Sequence, residues 1–398
     1  NRGRSEAGRL TGTKMHLFLV IALSIYGLVN FYIGRRGWQA LAGAPAARAV
    51  FLGVFICFIL AYPAARLAVA FGRNSAYGFL VKAGSFHLAL MLYLFLGVLV
   101  VDLFRLANAL VPFLPKSFSA RPHQTGLAVF NLVAGGSLLV IAGGALNAAR
   151  PRLRELAIPI DKPAGGRTSL TVVMASDVHL GVVAGISRLK PLVERINALA
   201  PDIVLLPGDI VDESVTEREE EEMTAIFQGI KAPLGVYSVP GNHEYYGGLE
   251  RNLAYLRKWG VKVLEDEAVL VDGSFYVVGR NDPSAARRGA GRKPLREILD
   301  EGRVDRSLPL ILMDHQPIRL AEAEQAGIDL ELSGHTHAGQ LFPLNLINKA
   351  VYEQNWGSLV KGKTRYYVSC GVGTWGPPVR TGSVPEIVRI RLAFKEAR

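Results

Sequence analysis

Leu170-Thr171-Val172-Val173-Met174-Ala175-Ser176-Asp177-Val178-His179 decides how the second half of this 398-residue chain is read. An apolar run of strand length ends in a carboxylate and an imidazole one residue apart. The pattern recurs along the chain. Ile203 to Leu206 precedes Asp209, Gly235 to Val239 precedes Asn242, Leu308 to Met313 precedes His315, and Ile328 to Leu332 precedes His335. Each run has the length and composition of a strand. Between the first two, Ser187 to Ala200 sets Leu189, Leu192, Val193, Ile196 and Leu199 at helical spacing. Strands alternating with helices predict an α/β layered fold. In such folds the loops beyond the carboxyl ends of the strands carry the sites, because rigid strands hold them in place.

The residues at those ends share one chemistry. Five of the eight histidines lie in this half, each beside Asp, Asn or Gly: His179, His243, His315, His335 and His337. Imidazole and carboxylate together suit divalent transition metals. Asp209 follows a glycine and offers two oxygens, so it can bridge two ions. Asn242 adds a neutral carbonyl oxygen that is available at any pH. His335 and His337, one residue apart, meet the same face at a strand end but reach two different ions from a sharp loop. Two cations about 3.5–4 Å apart can clamp a phosphoryl group and acidify a water between them. Glu244 is a candidate orienting acceptor. Tyr245, Tyr246, Arg280 and Arg380 are candidates for a pocket wall.

The first half is different. Leu17 to Gly34, Ala49 to Ala65, Ala83 to Val101 and Thr125 to Ala149 are long apolar runs with charged edges. A membrane-spanning helix needs roughly 17–25 such residues, and all four fit. A signal peptide explains the first run but not the other three. His87, inside the third run, is expected to bond to a neighbouring helix, and Asp102 to pair with Arg105 one turn away. The expected divisions are an extension over 1–14, a four-span membrane domain over 15–150, a basic linker over 151–168 and a catalytic domain over 169–398. Arg150, Arg152, Arg154, Lys162, Arg167 and Arg73 outweigh Arg35, Arg36, Lys116 and Arg121. By the positive-inside bias this puts the catalytic domain on the cytoplasmic side of a bacterial inner membrane. The net charge of +11 lies largely beside the spans and linker, so it indicates membrane lipids as partners and not nucleic acid. Cys57 and Cys370 are far apart, which implies neither a disulfide framework nor a thiolate zinc site.

The ordered set resembles the calcineurin-like metallophosphoesterase superfamily, whose pattern is D-x-H, G-D, G-N-H-[DE], a lone H and G-H-x-H. Every element occurs in order between Asp177 and His337, and the resemblance covers about residues 168–395. Ser333-Gly-His-Thr-His-Ala-Gly-Gln340 and Tyr367-Val-Ser-Cys-Gly-Val-Gly-Thr374 look like the bacterial branch that includes membrane-attached members. The resemblance implies a four-layer α/β/β/α sandwich behind an all-α four-helix transmembrane domain. It implies Asp177, His179, Asp209 and His337 around a first divalent ion and Asp209, Asn242, His315 and His335 around a second, the metals being Mn, Fe or Zn. His243 would be the proton donor and not a ligand. The implied reaction is hydrolysis of a phosphoester or pyrophosphate by a hydroxide bridging the metals. A lipid-linked or nucleotide-linked substrate is among those expected. The alternative from another class is a membrane sensor or scaffold that binds a phosphorylated ligand without turnover.

Overall fold

The computed structural model describes residues 2–68, 75–115, 122–183, 185–212, 217–289 and 291–396. The chain divides into two compact units, Asn1–Ala142 and Gly143–Arg398. The division falls inside the fourth long helix, upstream of the boundary expected at residue 150.

The first unit is built from helices Arg2–Ala40, Pro45–Ala68, Ser75–Leu110 and the greater part of Pro122–Ala148. Three segments among the described residues are long and apolar enough to cross a membrane: Pro45–Ala68, Tyr77–Leu110 and Gln124–Ala148. The run Leu17 to Gly34, expected as a span, lies inside the helix Arg2–Ala40, and its position 18 lies outside the residues whose side chains are described. That helix begins at Arg2, so residues 2–14 of the expected extension are continuous with it. Leu103, Leu132 and Leu139 are among many large apolar side chains exposed on this unit. Such a surface suits hydrocarbon, where helices satisfy their own backbone groups. Polar groups turn inward. His87 Nε2 lies 3.0 Å from Asn30 Oδ1 on the first helix. Asp102 meets Arg36 at 2.7 Å as well as Arg105 at 3.4 Å. Arg73, Lys116 and Arg121 of the charge comparison lie outside the described residues.

The second unit holds two six-stranded sheets. The strands are β1 (Arg152–Ile160), β2 (Ser169–Met174), β3 (Ile203–Leu206), β4 (Val236–Ser238), β5 (Lys262–Val263), β6 (Glu267–Val271), β7 (Phe275–Arg280), β8 (Leu310–Asp314), β9 (Leu330–Ser333), β10 (Gly357–Lys361), β11 (Thr364–Val368) and β12 (Glu386–Phe394). One sheet runs β1-β12-β2-β3-β4-β5 and the other β10-β11-β9-β8-β7-β6. β2, β3 and β4 are parallel neighbours, as are β7, β8 and β9. Their carboxyl ends therefore form a common rim in each sheet.

Side-chain alternation makes four layers from these sheets. Leu170, Val172 and Met174 join Val277, Ile311, Met313, Leu330 and Leu332 in one buried core between the sheets. The intervening Val173 and Val204 face outward, onto Leu189, Val193 and Ile196 of the helix Ile186–Ala198 and Leu253 and Leu256 of the helix Leu249–Lys258. On the far side, Val278, Leu310 and Leu312 pack on Ile298 and Leu299 of the helix Leu295–Glu301. Each fully buried aliphatic side chain contributes about 1.5–3 kcal/mol, and a one-residue slip of a strand would exchange its two cores. The order helix, sheet, sheet, helix is the sandwich expected from the motif set.

The segment 151–168 departs from its expected role as a linker. It contains β1, which pairs in parallel with β12 along its whole length, from Arg152 opposite Glu386 to Ile160 opposite Phe394. An edge strand with one exposed face tolerates Arg152 and Arg154. Those arginines masked the alternation in the sequence.

Candidate metal centre

The two strand rims bring all seven expected ligands together. Asp177 and His179 follow β2, Asp209 follows β3, Asn242 follows β4, His315 follows β8, and His335 and His337 follow β9. His179 Nε2 and His337 Nε2 are 2.9 Å apart. Asp177 Oδ1 lies 3.6 Å from His337 Nε2, and Asp209 Oδ2 lies 3.9 Å from His179 Nε2. On the other side of Asp209, the same Oδ2 is 3.2 Å from His315 Nε2. Asn242 Oδ1 is 3.1 Å from His315 Nε2 and 2.7 Å from His335 Nδ1. Asp177, His179 and His337 form one group of converging donor atoms, Asp209, His315 and His335 a second, and His179, Asp209 and His243 a third. Asp209 is common to both halves, as a bridging carboxylate requires. The loop at 335–337 indeed sends its two imidazoles to different halves.

Five of these seven residues adopt left-handed backbone: Asp177, His179 and Asp209 at φ 54°, His335 at 69° and His337 at 48°. Asp and His tolerate this region better than most residues, yet each instance still costs about 1–3 kcal/mol. A dense set of hydrogen bonds holds them there. Asp177 N donates to Gly208 O and His179 N to Asp209 O. His335 N donates to Asp177 Oδ1 and His243 N to Asp209 Oδ1, each at 2.9 Å. The buried Glu244 carboxylate accepts from the amides of Asp209, Ile210, Val211 and Gly241 at 2.7–3.0 Å. Glu244 thus orients the loop, as expected. Gly334 is required by close approach, since a Cβ there would strike the Asp177 carboxylate.

Asp212 was not among the expected residues, and it organises the centre. Its Oδ1 accepts from His179 Nδ1 and His243 Nδ1, both at 2.6 Å. Desolvation would raise this carboxyl, but the two imidazoles outweigh it and hold it down at about 2. Burial lowers His179, yet Asp212, Asp209 and Asp177 together lift it to about 9. His243 is likewise raised, because Asp212 overcomes its desolvation. With Nδ1 of His179 committed to Asp212, its Nε2 is turned to the centre. His315 is fixed in the same way by Nδ1 bonding to Pro207 O at 2.8 Å. The opposite rim is mixed: burial lowers His315, but Asp209, Asp177 and Asp282 lift it well above the ordinary imidazole range. Burial and the nearby His315 charge depress His335 to about 3, and burial with Arg380 depresses His337. A signal for Asp212 existed in the sequence: it stands three residues after Asp209, in Gly208-Asp-Ile-Val-Asp212.

The candidate wall residues separate. Tyr246 lines the cavity over the centre. Arg280 is buried in ion pairs with Asp314 and Glu322. Arg380 is buried beneath the centre and donates to Gly373 O and Ser383 Oγ, with Nη2 3.0 Å from His337 Nδ1.

The donor set fits two divalent cations. Asp177 Oδ2 is buried without a hydrogen-bond partner, and two imidazole nitrogens face each other across 2.9 Å with room for one proton between them. A cation displacing that proton would satisfy all three atoms.

Comparison with known proteins agrees. Residues 170–339 match the family model described as calcineurin-like phosphoesterase. A zebrafish (Danio rerio) protein named "Transmembrane protein with metallophosphoesterase domain" is 32% identical over 94% of this chain and 89% of its own length. An "Uncharacterized metallophosphoesterase" of Helicobacter pylori strain J99 is 35% identical over 62% of this chain, which spans 65% of that relative's length. The crystal structure of TT1561 of Thermus thermophilus is similar over 52% of this chain and 91% of that one, with a TM-score of 0.36 and 13% identity. The chain belongs to the calcineurin-like metallophosphoesterase family. Membership implies a metal-dependent phosphoester hydrolase, and the family's fold uses a dinuclear divalent metal site for which the clustered His and Asp side chains are present.

Proposed function

We propose that the protein is a membrane-anchored hydrolase that cleaves a phosphoester or pyrophosphate bond at a dinuclear centre. The observation that carries this reading is the meeting of Asp177, His179, Asp209, Asn242, His315, His335 and His337 from two sheets, with His243 converging on the same place and held by Asp212. Asp177, His179, Asp209 and His337 would hold one divalent ion, and Asp209, Asn242, His315 and His335 the other. When bound, these ions polarise the phosphoryl group and acidify a water. The chain's own residues supply the rest. His243 lines the cavity, and its Nδ1–H is held by Asp212. Nε2–H is then free to bond a phosphoryl oxygen and to protonate the leaving oxygen. Asp212 favours the protonated form of His243 that such a transfer needs. Glu244 and the strained loops fix the ligands before substrate arrives, so little reorganisation is needed at the moment of reaction.

The helices Pro45–Ala68, Tyr77–Leu110 and Gln124–Ala148 support membrane anchoring; our reading adds Leu17 to Gly34 as a fourth span and, from the arginine bias of the sequence, sets the catalytic unit on the cytoplasmic side. A reporter fused to the carboxyl terminus should be active only in the cytoplasm; activity only outside would reverse this orientation. The activity itself is tested by turnover of an aryl phosphodiester with added Mn²⁺, abolished by Asp209→Ala. Full metal loading without turnover of any phosphoester would leave a ligand-binding sensor as the better reading.

A further inference from the structure

A cavity of about 520 Å³ opens over the centre. Its floor is polar: Asp209, Asn242, His243, His335 and His337. One wall is not. Leu344, Ile347 and Val351, from the helix Leu344–Val351, line it with Trp375 and Tyr246.

That helix is inverted relative to an ordinary surface helix, whose apolar face turns to the core. Leu344, Leu346, Ile347 and Val351 are exposed at 42%, 58%, 63% and 69%. Its asparagines face the protein instead. Asn348 Nδ2 donates to Thr336 O, between the two ligand histidines, and Asn348 Oδ1 accepts from Asn355 Nδ2. The backbone of Asn345 packs so closely on Gly339 that a Cβ at Gly339 would collide with it. The helix is therefore fastened to the ligand loop by its polar side, which leaves its apolar side outward. Leaving that apolar surface in water is unfavourable, so an apolar partner is implied. The cavity joins this surface to the polar floor, so a single molecule can meet both.

We propose that the helix Leu344–Val351 and Trp375 form a tail-binding wall, and that the substrate is an amphiphile: a phosphoester carrying a long aliphatic chain presented from a lipid surface. This rests on the hydrolase reading above. The reaction is simple hydrolysis. The P–O bond to the leaving group breaks, the water oxygen joins phosphorus, and a proton reaches the leaving oxygen. No further reactant is needed.

The test uses the full chain in mixed micelles with Mn²⁺ and three p-nitrophenyl phosphodiesters whose second ester is ethyl, octyl or hexadecyl. All three share one reacting centre and differ only in the tail. kcat/KM should rise at least about tenfold from ethyl to hexadecyl, a gain that burying about two methylenes already supplies. Ile347→Asn combined with Val351→Asn should collapse the hexadecyl-to-ethyl ratio toward one, and Ile347→Leu should keep it. Metal content and oligomeric mass are measured on each variant. A wild-type ratio near one would overturn the proposal. So would a ratio that survives the double substitution, or a double variant whose only change is loss of an oligomer, which would make the wall a subunit interface. Turnover of none of the three by the metal-loaded protein would overturn the hydrolase reading and this inference with it. Turnover of all three at equal rates would sink the inference alone.

Discussion

The two strand rims that meet at the centre are not equivalent. The rim of β2, β3 and β4 supplies the carboxylates Asp177, Asp209 and Asp212, the amide oxygen of Asn242, the proposed proton donor His243 and one proposed ligand imidazole, His179. The rim of β8 and β9 supplies imidazoles only, His315, His335 and His337. The consequence is electrostatic. Beside the carboxylates His179 rises to about 9, whereas His335 sinks to about 3. One rim brings the carboxylates that bind cations; the other brings imidazoles, of which burial lowers His335 and His337 while Asp209 raises His315. Four experiments can break or sharpen this contrast.

The largest effect is expected at the shared carboxylate. Asp209→Ala removes the bridge and the charge that offsets repulsion between two cations, so both metals and all activity should be lost. His335→Ala removes one neutral donor and should reduce metal content from two ions to one. Metal analysis after gel filtration decides: equal loss in the two variants would erase the distinction between the rims.

His243→Ala should keep most of the metal and lose activity by about 10²–10⁴-fold, the range for a positioned general acid. Metal loss equal to that of Asp209→Ala would make His243 a ligand.

Asp212→Asn should cost about 10–100-fold, as for other partners of metal-binding histidines. It should also change the pH profile. A general acid must be protonated, so rate falls as pH rises through its pKa. Asp212 raises His243, so its removal lowers that pKa, and the alkaline limb should move to lower pH. An alkaline limb that stays in place would detach Asp212 from His243.

The smallest effect is a proton count. In the metal-free protein His179 holds its proton up to about 9, whereas His335 is already neutral well below that. Because His179 is raised, its contribution to metal-free stability is present at low pH and is lost as pH rises through about 9. Metal must displace the His179 proton and that of His315, which Asp209 also raises, so uptake at neutral pH should release protons and affinity should rise with pH. Calorimetry in two buffers of different ionisation enthalpy measures the release. Uptake with no release would contradict the charge assigned to the carboxylate rim.

Much of this centre is legible in the chain because each ligand is placed by local sequence. Asp177, Asp209 and His315 stand just past apolar runs, and a strand followed by a tight turn puts such a residue on a sheet rim. Strand limits were less legible: the run expected to end at Leu332 ends at Ser333, since pairing with neighbours sets where a strand stops. β1 was hidden, because an edge strand need bury only part of one face and its arginines read as linker. Arg380 was a candidate for the wall, but its place beneath the centre was not legible: nothing near it in sequence marks a residue that meets His337 from 43 positions away. The helix Leu344–Val351 shows an apolar periodicity that predicts burial, whereas its asparagines take the inner side.

The sequence by itself determined which elements form and which residue types stand at their ends, because turns, strand periodicity and helical spacing are local. It also determined the apolar character of the first unit, through run length and composition. Only the tertiary structure decided that one Asp212 oxygen serves two histidines, that His335 and His337 part toward different halves, and that an apolar helix turns outward beside the phosphoryl floor. These are relations between segments far apart in the chain, fixed by how two sheets pack across a shared core, and no local rule encodes them.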